Sequence, residues 1–558
     1  MPVARYVENH NSARMGASVP YRDELLRIGG EMSLTIGTMM ALSFVVSLIG
    51  LAFLIWAVAS RQFRVNQSDA ELIFPGAEGA DHQPDDPTSF GFQAAAEPGE
   101  GTDTRHRNLI FALIGFGTFW LVLGSFFGVI ASLKLHLPDW LTGSAPLTFG
   151  RMRTMHLNSV IYGWLSLAGI GVAMFLVPRL FKTPLRGAKY GWAGLAFWNV
   201  GVAVGVYAIA TGWTDGMEWL EIPWQVDGLL AIGGGCFAAP LVLTALKRNV
   251  HHIYVTAWYY LGALVWFPVL FIIANIPIHS GVQQATVNWW FAHNVLGLWL
   301  TPIGVGAAYY VLPKIIGKPI YSYRLSLLGF WALALFYSQV GMHHLIGGPV
   351  PTWVVTLSVV QSVMMFIPVI AVAINQHVLW GSNLWAFKQS LPLRFVAFGA
   401  VMYTLASFQG SMEAVRAVNT VTHFTHYTVG HAHLGAYAFV SLVLFGTVYY
   451  LMPILTGRLW PYPRLIALHF WLVAIGFGVY FFSLTIGGWL QGLTMLDASR
   501  DWLESMRITV PYLQGRSVGG TLMTLGHILF AVNLLSLVLV ARRSDETAAA
   551  PAPATGVS

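Results

Sequence analysis

Thirteen runs of about twenty apolar residues constrain this chain more than anything else in it. They fall at approximately 33–59, 108–131, 157–178, 190–211, 226–246, 253–275, 290–313, 325–347, 352–376, 391–410, 432–452, 463–487 and 519–541. Each is long enough to cross a bilayer core as a helix. Lipid offers backbone groups no hydrogen bonds, so each run must satisfy its own, and helices do. The expected fold class is an all-α polytopic membrane protein, twelve helices in one bundle plus an extra N-terminal transmembrane helix. Only 10% of residues are charged, against about 25% in soluble domains. The formal net charge of +6 therefore bears on topology, not on nucleic acid. Cys236 is the single cysteine. An internal disulfide, a cysteine-based metal site and a covalently attached c-type haem are excluded.

The first run stands apart. Residues 60–107 are rich in Asp, Glu, Pro and Gly, among them Asp81, Asp85, Asp86, Glu97, Glu100 and Asp103. They read as a flexible acidic linker. The organisation expected is an extension over 1–107, a twelve-helix core over 108–545 and a flexible tail over 546–558. A cleaved signal peptide is not expected, because the first run starts beyond residue 30 and exceeds an h-region in length. Alternate loops carry Arg179, Lys182, Arg186 and Lys189; Lys247 and Arg248; Lys314, Lys318 and Arg324; Arg458 and Arg464; and Arg542 and Arg543. That side is cytoplasmic by the positive-inside rule. The core then has both termini inside, and the chain's N-terminus lies outside.

Histidines occur at membrane depth, where ionisable residues mark functional sites. His431 and His433 are separated by one residue and point about 200° apart on a helix. They cannot share one metal, but they can serve two cofactors on opposite sides. His156 opens the second core helix from the outer side, as His433 does the tenth, so the two suit the axial positions of one six-coordinate haem. His431 would hold a second haem from one side only. Adjacent His343 and His344 diverge by about 100°; with His293 they make a trigonal nitrogen site for copper or another imidazole-binding metal. Isolated helix-end histidines, such as His251, His252, His377 and His469, read as interfacial or hydrogen-bonding residues. A transporter with histidine proton relays would also bury imidazoles. It would be expected to show inverted repeats and paired broken helices, and neither is evident.

The motifs Phe149-Gly-Arg-Met-Arg153-Thr-Met-His156, Trp289-Trp-Phe-Ala-His293-Asn294, Gly341-Met-His-His-Leu345 and Tyr427-Thr-Val-Gly430 before His431-x-His433 resemble those of the haem–copper oxygen reductases. They look like the catalytic subunit I of cbb3-type cytochrome c oxidases, and the resemblance covers roughly residues 108–545. The resemblance implies that His156 and His433 ligate a low-spin haem b. It implies that His431 is the axial ligand of a high-spin haem b3, and that His293, His343 and His344 bind copper (CuB). It further implies reduction of O2 to water, with proton uptake and pumping, in a bacterial inner membrane. Electrons would come from membrane-anchored monohaem and dihaem c-type cytochrome subunits.

In that family a tyrosine supplies the fourth electron for O2 cleavage and is cross-linked to a copper histidine of the preceding helix. Tyr337 occupies that place, seven residues before His344. In an α-helix the two would share a face, two turns and about 10.5 Å apart. Related nitric oxide reductases use non-haem iron and nearby glutamates and lack this tyrosine; nitric oxide reduction is the alternative activity. One departure bears on it. Where the family usually has Phe-Glu-Gly-Pro, this chain has Phe408-Gln409-Gly410-Ser411, with Glu413 nearby.

Proton input is expected from the inner ends of core helices six and seven, through Tyr309 or Tyr310, Tyr323 and Ser326. Arg151 and Arg153 suit haem propionates, since guanidinium pairs with carboxylates in a bidentate manner. Glu218 and Glu221 match acidic positions beside a structural Ca2+ in the family, and carboxylate oxygens suit that ion. The N-terminal run, with Phe53-Leu-Ile-Trp56 and Gln62-Phe63, resembles a small single-helix assembly protein that accompanies these oxidases.

Overall fold

The structure is a computed structural model that describes residue 48 and residues 50–74 and 104–549. Twelve helices are long and apolar enough to span a membrane. They are α1 His106–Lys134, α2 Phe149–Leu180, α3 Ala188–Thr211, α4 Trp224–Leu246, α5 Val255–Asn275, α6 Gly281–Ile316, α7 Tyr323–Leu345, α8 Thr352–Gly381, α9 Leu391–Glu413, α10 His426–Thr456, α11 Pro463–Leu496 and α12 Trp502–Leu537. The chain is a multi-pass membrane protein. Every core run expected from hydropathy is present.

Four helices begin well before their apolar run. α2 starts at Phe149, α6 at Gly281, α10 at His426 and α12 at Trp502. Hydropathy misses these first turns because polar residues such as Arg151, Gln283 and Thr428 hydrogen-bond as helix but do not favour lipid. His156 and His433 therefore lie about two turns inside their helices, not at their openings as expected, and His293 about three turns inside its own.

The chain divides into two units, one comprising residues 1–63 with 278–285 and the other the remainder. In the first, Gly50–Ala59 is an apolar helix, with the Phe53 and Trp56 rings stacked at 5.6 Å. Positions 33–47 and 49 of the expected N-terminal span lie outside the described residues. In the second unit, the polar segment is not loose throughout. Gln67–Glu71 forms a 3-10 turn capped reciprocally by Asn66 and Asp69, and Val65, Ala70 and Ile73 are buried. At the other end, α12 continues to Ala549, so the first residues of the expected tail are helical.

Within the larger unit, α2, α6 and α10 form the centre. Their most apolar stretches are 94, 89 and 94% buried, whereas the other nine helices range from 33 to 56%. These three also share a distortion. Each widens into a π-helical segment within three residues after a histidine: Ser159–Ser166 after His156, Val295–Leu300 after His293, and Leu434–Ser441 after His433. Such wide turns concentrate at functional sites. Around the centre, close crossings rely on glycine. At the α11–α12 crossing, a Cβ on Gly519 would lie 2.7 Å from the Tyr480 nitrogen, and one on Gly476 would lie 2.9 Å from the Gly519 carbonyl oxygen. Neither backbone can yield without parting the helices. Gly519→Leu is expected to destabilise the bundle by about 1–3 kcal/mol, measured as a lower unfolding temperature in detergent. Gly478→Leu, which meets open space, should change it little.

Candidate metal and cofactor centre

Two cavities flank α10, and they divide the histidines between them. His431 lines one and His433 the other, as their separation around the helix requires.

The first cavity has an empty volume of about 810 Å³ and is lined by His293, Tyr337, His343, Tyr403 and His431 among others. One nitrogen each of His293, His343 and His344 lies within 4.8 Å of the others. The ring centres are 4.9 Å apart for His293 and His343, 5.4 Å for His293 and His344, and 4.4 Å for the adjacent pair. His344 stacks on Trp289 at 4.2 Å, which fixes its plane. The His343 tautomer follows from its partner. Ser362 Oγ donates to Ser358 O (2.7 Å) and lies 3.0 Å from His343 Nδ1, so it accepts from Nδ1–H. That leaves Nε2 with a free lone pair, the form that metal binding needs. His293 Nδ1 and His431 Nδ1 are buried without a hydrogen-bond partner. Three converging imidazoles, one of them with an orphaned nitrogen, suit a copper-type ion.

The segment carrying Tyr337, His343 and His344 differs from expectation. Tyr337–Leu345 is a 3-10 helix, with three residues per turn and about 2 Å rise. Tyr337, Val340 and His343 therefore stack on one face and line the cavity together. His343, not His344, shares the face of Tyr337, because 3-10 winding brings i and i+6 into line where α-winding would bring i and i+7. The Tyr337 ring centre is 5.2 Å from that of His293. The ring lies against Gly297 so closely that no side chain fits there. Gly410 has the same relation to His431: a Cβ would sit 2.9 Å from the imidazole. Gln409 Oε1 and Glu413 Oε1 are buried without partners, while Ser411 Oγ donates to Ser362 O at 2.8 Å.

The second cavity, about 980 Å³, lies among α1, α2, α10, α11 and α12. The His156 and His433 rings are 6.2 Å apart and within 7° of parallel. Two imidazoles bonding one metal from opposite sides at about 2 Å each would have ring centres about 6 Å apart, so the spacing fits a shared iron. His156 Nδ1 is 2.8 Å from Gly124 O and His433 Nδ1 is 2.9 Å from Val429 O. Both Nδ1 atoms are thus protonated donors; the Nε2 of His156 is left for a ligand, and that of His433 would have to give up Tyr480 Oη to take one. Tyr480 Oη lies 3.2 Å from His433 Nε2 and accepts from Arg516 Nε, also at 3.2 Å. Gly128 seats His156, since a Cβ there would approach the ring to 2.7 Å. His527 closes the inner end, with Ser125 Oγ at 2.7 Å and Tyr437 Oη at 2.8 Å on its two nitrogens.

Of the two arginines expected here, Arg153 lines the cavity and pairs with Glu218 at 2.6 Å. Arg151 does not line it; its guanidinium donates to Ala210 O at 2.9 Å, because it leaves α2 on the side of α3. Arg516 lines the cavity instead. It was missed because hydropathy started the last helix at 519, although an arginine inside a span is itself a signal. Glu221 Oε2 accepts from Asn158 Nδ2 at 2.9 Å, and its Oε1 is buried without a partner. Burial, and then the charge of Glu218, push its carboxyl up to about 7. An orphaned carboxylate oxygen suits a cation, whereas Glu218 is already engaged by Arg153.

On α6 and α7, Tyr309, Tyr323 and Ser326 are fully buried. Asn375 Nδ2 donates to Tyr309 Oη at 3.3 Å, and His252 Nε2 lies 2.9 Å from Tyr323 Oη. Ser326 Oγ is committed to Tyr323 O at 2.7 Å, and Tyr310 lies beside Lys314.

Residues 108–522 match the model of the family described as cytochrome c and quinol oxidase polypeptide I. This chain belongs to that family, the haem–copper oxidases. Among its relatives is a cytochrome c oxidase subunit 1 homolog of Agrobacterium tumefaciens (strain T37). The two are 32% identical, and the match covers 82% of this chain and 89% of the relative. The cbb3-type cytochrome c oxidase subunit CcoN1 of Stutzerimonas stutzeri is also 32% identical, over 77% of this chain and 94% of its own length. A cryo-EM structure of a haem–copper terminal oxidase dimer shares the fold at TM-score 0.66 and 19% identity, covering 78% of this chain and 84% of that one. Haem and copper are what membership in the haem–copper oxidases implies. Gly128→Val should press on His156, cost about 1–3 kcal/mol and lower the haem retained per purified chain. Gly143→Val, in open space, should leave haem content unchanged.

Proposed function

We propose that the chain is the catalytic subunit of a cbb3-type terminal oxidase that reduces O2 to water. Electrons would arrive from membrane-anchored monohaem and dihaem c-type cytochromes, with proton uptake and pumping. The observation that carries this reading is the Tyr337 ring 5.2 Å from His293, beside a metal-capable group of three imidazoles. His156 and His433 would hold the low-spin haem b. His431 would hold haem b3, and His293, His343 and His344 would hold CuB. When bound, the haem iron and copper supply the electrons and coordination for reducing O2.

The chain's own residues do the rest. Ser362 keeps the Nδ1 proton on His343 and so holds its Nε2 basic. Gly297 lets the Tyr337 phenol stand next to His293, where its Oη holds a proton and its ring an electron for O–O cleavage. Arg153 and Arg516 bring positive charge to the second cavity, where carboxylates of a haem would be paired. Glu221, with its free oxygen, is the better of the two expected Ca2+ ligands, and Glu218 would bind the ion only by sharing itself with Arg153. The bacterial inner membrane is the proposed location, with the basic loops cytoplasmic and the core termini inside. The N-terminal helix is proposed as an assembly module carried in the same chain.

Tyr337→Phe keeps size and packing and removes the hydroxyl. O2 turnover should fall roughly a hundredfold, with any NO turnover affected far less. A wild-type O2 rate would overturn the mechanism. His343→Ala should lose the copper and keep both haems, read by elemental analysis and reduced-minus-oxidised spectra. Iron in that site of the unmutated protein would point instead to nitric oxide reduction.

A further inference from the structure

α1 and α12 meet at a pair of serines. Ser132 Oγ and Ser517 Oγ lie 2.8 Å apart, and His136 Nε2 is 2.9 Å from Ser517 Oγ. Both serines are buried, whereas His136, just beyond the end of α1, is half-buried. Ser132 lines the second cavity, as do Arg153 and Arg516. Three hydrogen-bonded side chains thus run from the cavity wall to the end of the bundle where α1 gives way to α2.

These hydroxyls are placed differently from other buried helix serines. Ser125 Oγ donates to Leu121 O at 2.6 Å and Ser362 Oγ to Ser358 O at 2.7 Å, so each commits its proton to its own helix. Ser132 and Ser517 pair with each other instead. A hydroxyl offers one donor and two acceptor lone pairs, so a string of them can point either way. With Ser132 donating to Ser517, Ser517 donates to His136 Nε2. In the reverse sense, His136 Nε2–H donates to Ser517 and Ser517 to Ser132. Burial, and then the charge of Arg516, lower the proton affinity of His136, so the imidazole passes a proton on and does not store it.

We propose that Ser132, Ser517 and His136 form a proton relay between the second cavity and the surface at the α1–α2 end of the bundle. Ser132 Oγ takes a proton from the cavity and passes its own to Ser517 Oγ. Ser517 passes its own to His136 Nε2, and His136 releases its Nδ1 proton to water, so that one proton enters and one leaves. The hydroxyls then turn back, and the imidazole exchanges its proton between nitrogens through water. This end lies opposite the basic loops, so the proposed topology opens the relay to the outside. The inference rests on the proposed oxidase function, because pumped protons need a way out.

The test uses the whole purified complex in sealed phosphatidylcholine vesicles with a soluble electron donor outside. O2 consumption and external acidification are followed after an O2 pulse. Ser517→Ala removes the oxygen that both hydrogen bonds share. It should lose most of the external acidification per O2 consumed, with haem spectra and the uncoupled O2 rate near wild type, and Ser517→Thr should recover it. Without turnover, the low-spin haem spectrum of partly reduced vesicles should follow an external pH jump more slowly in Ser517→Ala. A merely structural clasp between α1 and α12 would lower stability or haem content and leave the ratio of protons to O2 unchanged. An unchanged ratio, or an equal response to the pH jump, overturns the proposal while leaving the oxidase reading standing. So does a wild-type complex that consumes O2 without acidifying the outside. A wild-type complex that consumes no O2 overturns both.

Discussion

An imidazole buried at membrane depth has two nitrogens and no water to satisfy them. Burying a polar group without a partner costs several kcal/mol, so each nitrogen needs a protein acceptor or a metal. In this chain the Nδ1 atoms of His156, His433 and His343 are given to Gly124 O, Val429 O and Ser362 Oγ. The opposite edges are thereby left as lone pairs, turned toward cavities that the three rings line, with Tyr480 Oη beside that of His433. The central helices are arranged around this division. Glycines at 128, 297 and 410 are empty spaces into which His156, Tyr337 and His431 fit, and any side chain there would compete with them.

The same device is repeated three times. α2, α6 and α10 each carry a histidine, then a widened turn containing a glycine: Gly163, Gly297 or Gly435. A π-turn shifts the register of everything beyond it by a residue. The histidine face can then point at its cavity while the rest of the helix keeps its own packing. The fourth ligand segment takes the opposite course and tightens to 3-10. That winding lets Tyr337 and His343 share one wall. Regular α-helices could supply the donors but not aim all of them.

Hydropathy made the twelve core spans legible because lipid imposes one simple demand on each. It failed at the outer ends of α2, α6, α10 and α12, where polar turns are helical without being apolar. That failure hid Arg516 and put His156 and His433 at helix openings. It also let residues 60–107 read as linker, although the turn at Gln67 is held by backbone bonds to Ile320 and Tyr323. Composition reports solvent preference, and a polar segment that docks through backbone groups looks the same as one that does not dock. The isolated histidines read as hydrogen-bonding residues do hydrogen-bond: His377 to Thr404, His469 to Tyr449 and His252 to Tyr323.

By itself, the sequence determined the membrane class, the number of core spans, and the division of His431 from His433. Each of these follows from local period and solubility, which a chain carries residue by residue. Only the tertiary structure decided that His343 and not His344 faces the cavity with Tyr337, that Arg516 lines the second cavity where Arg151 does not, and that Gln67 docks on the backbone of Ile320 and Tyr323. Those outcomes depend on whether a turn winds as 3-10, α or π and on which neighbour it meets. Both are fixed by packing between helices distant in sequence, so no local pattern encodes them.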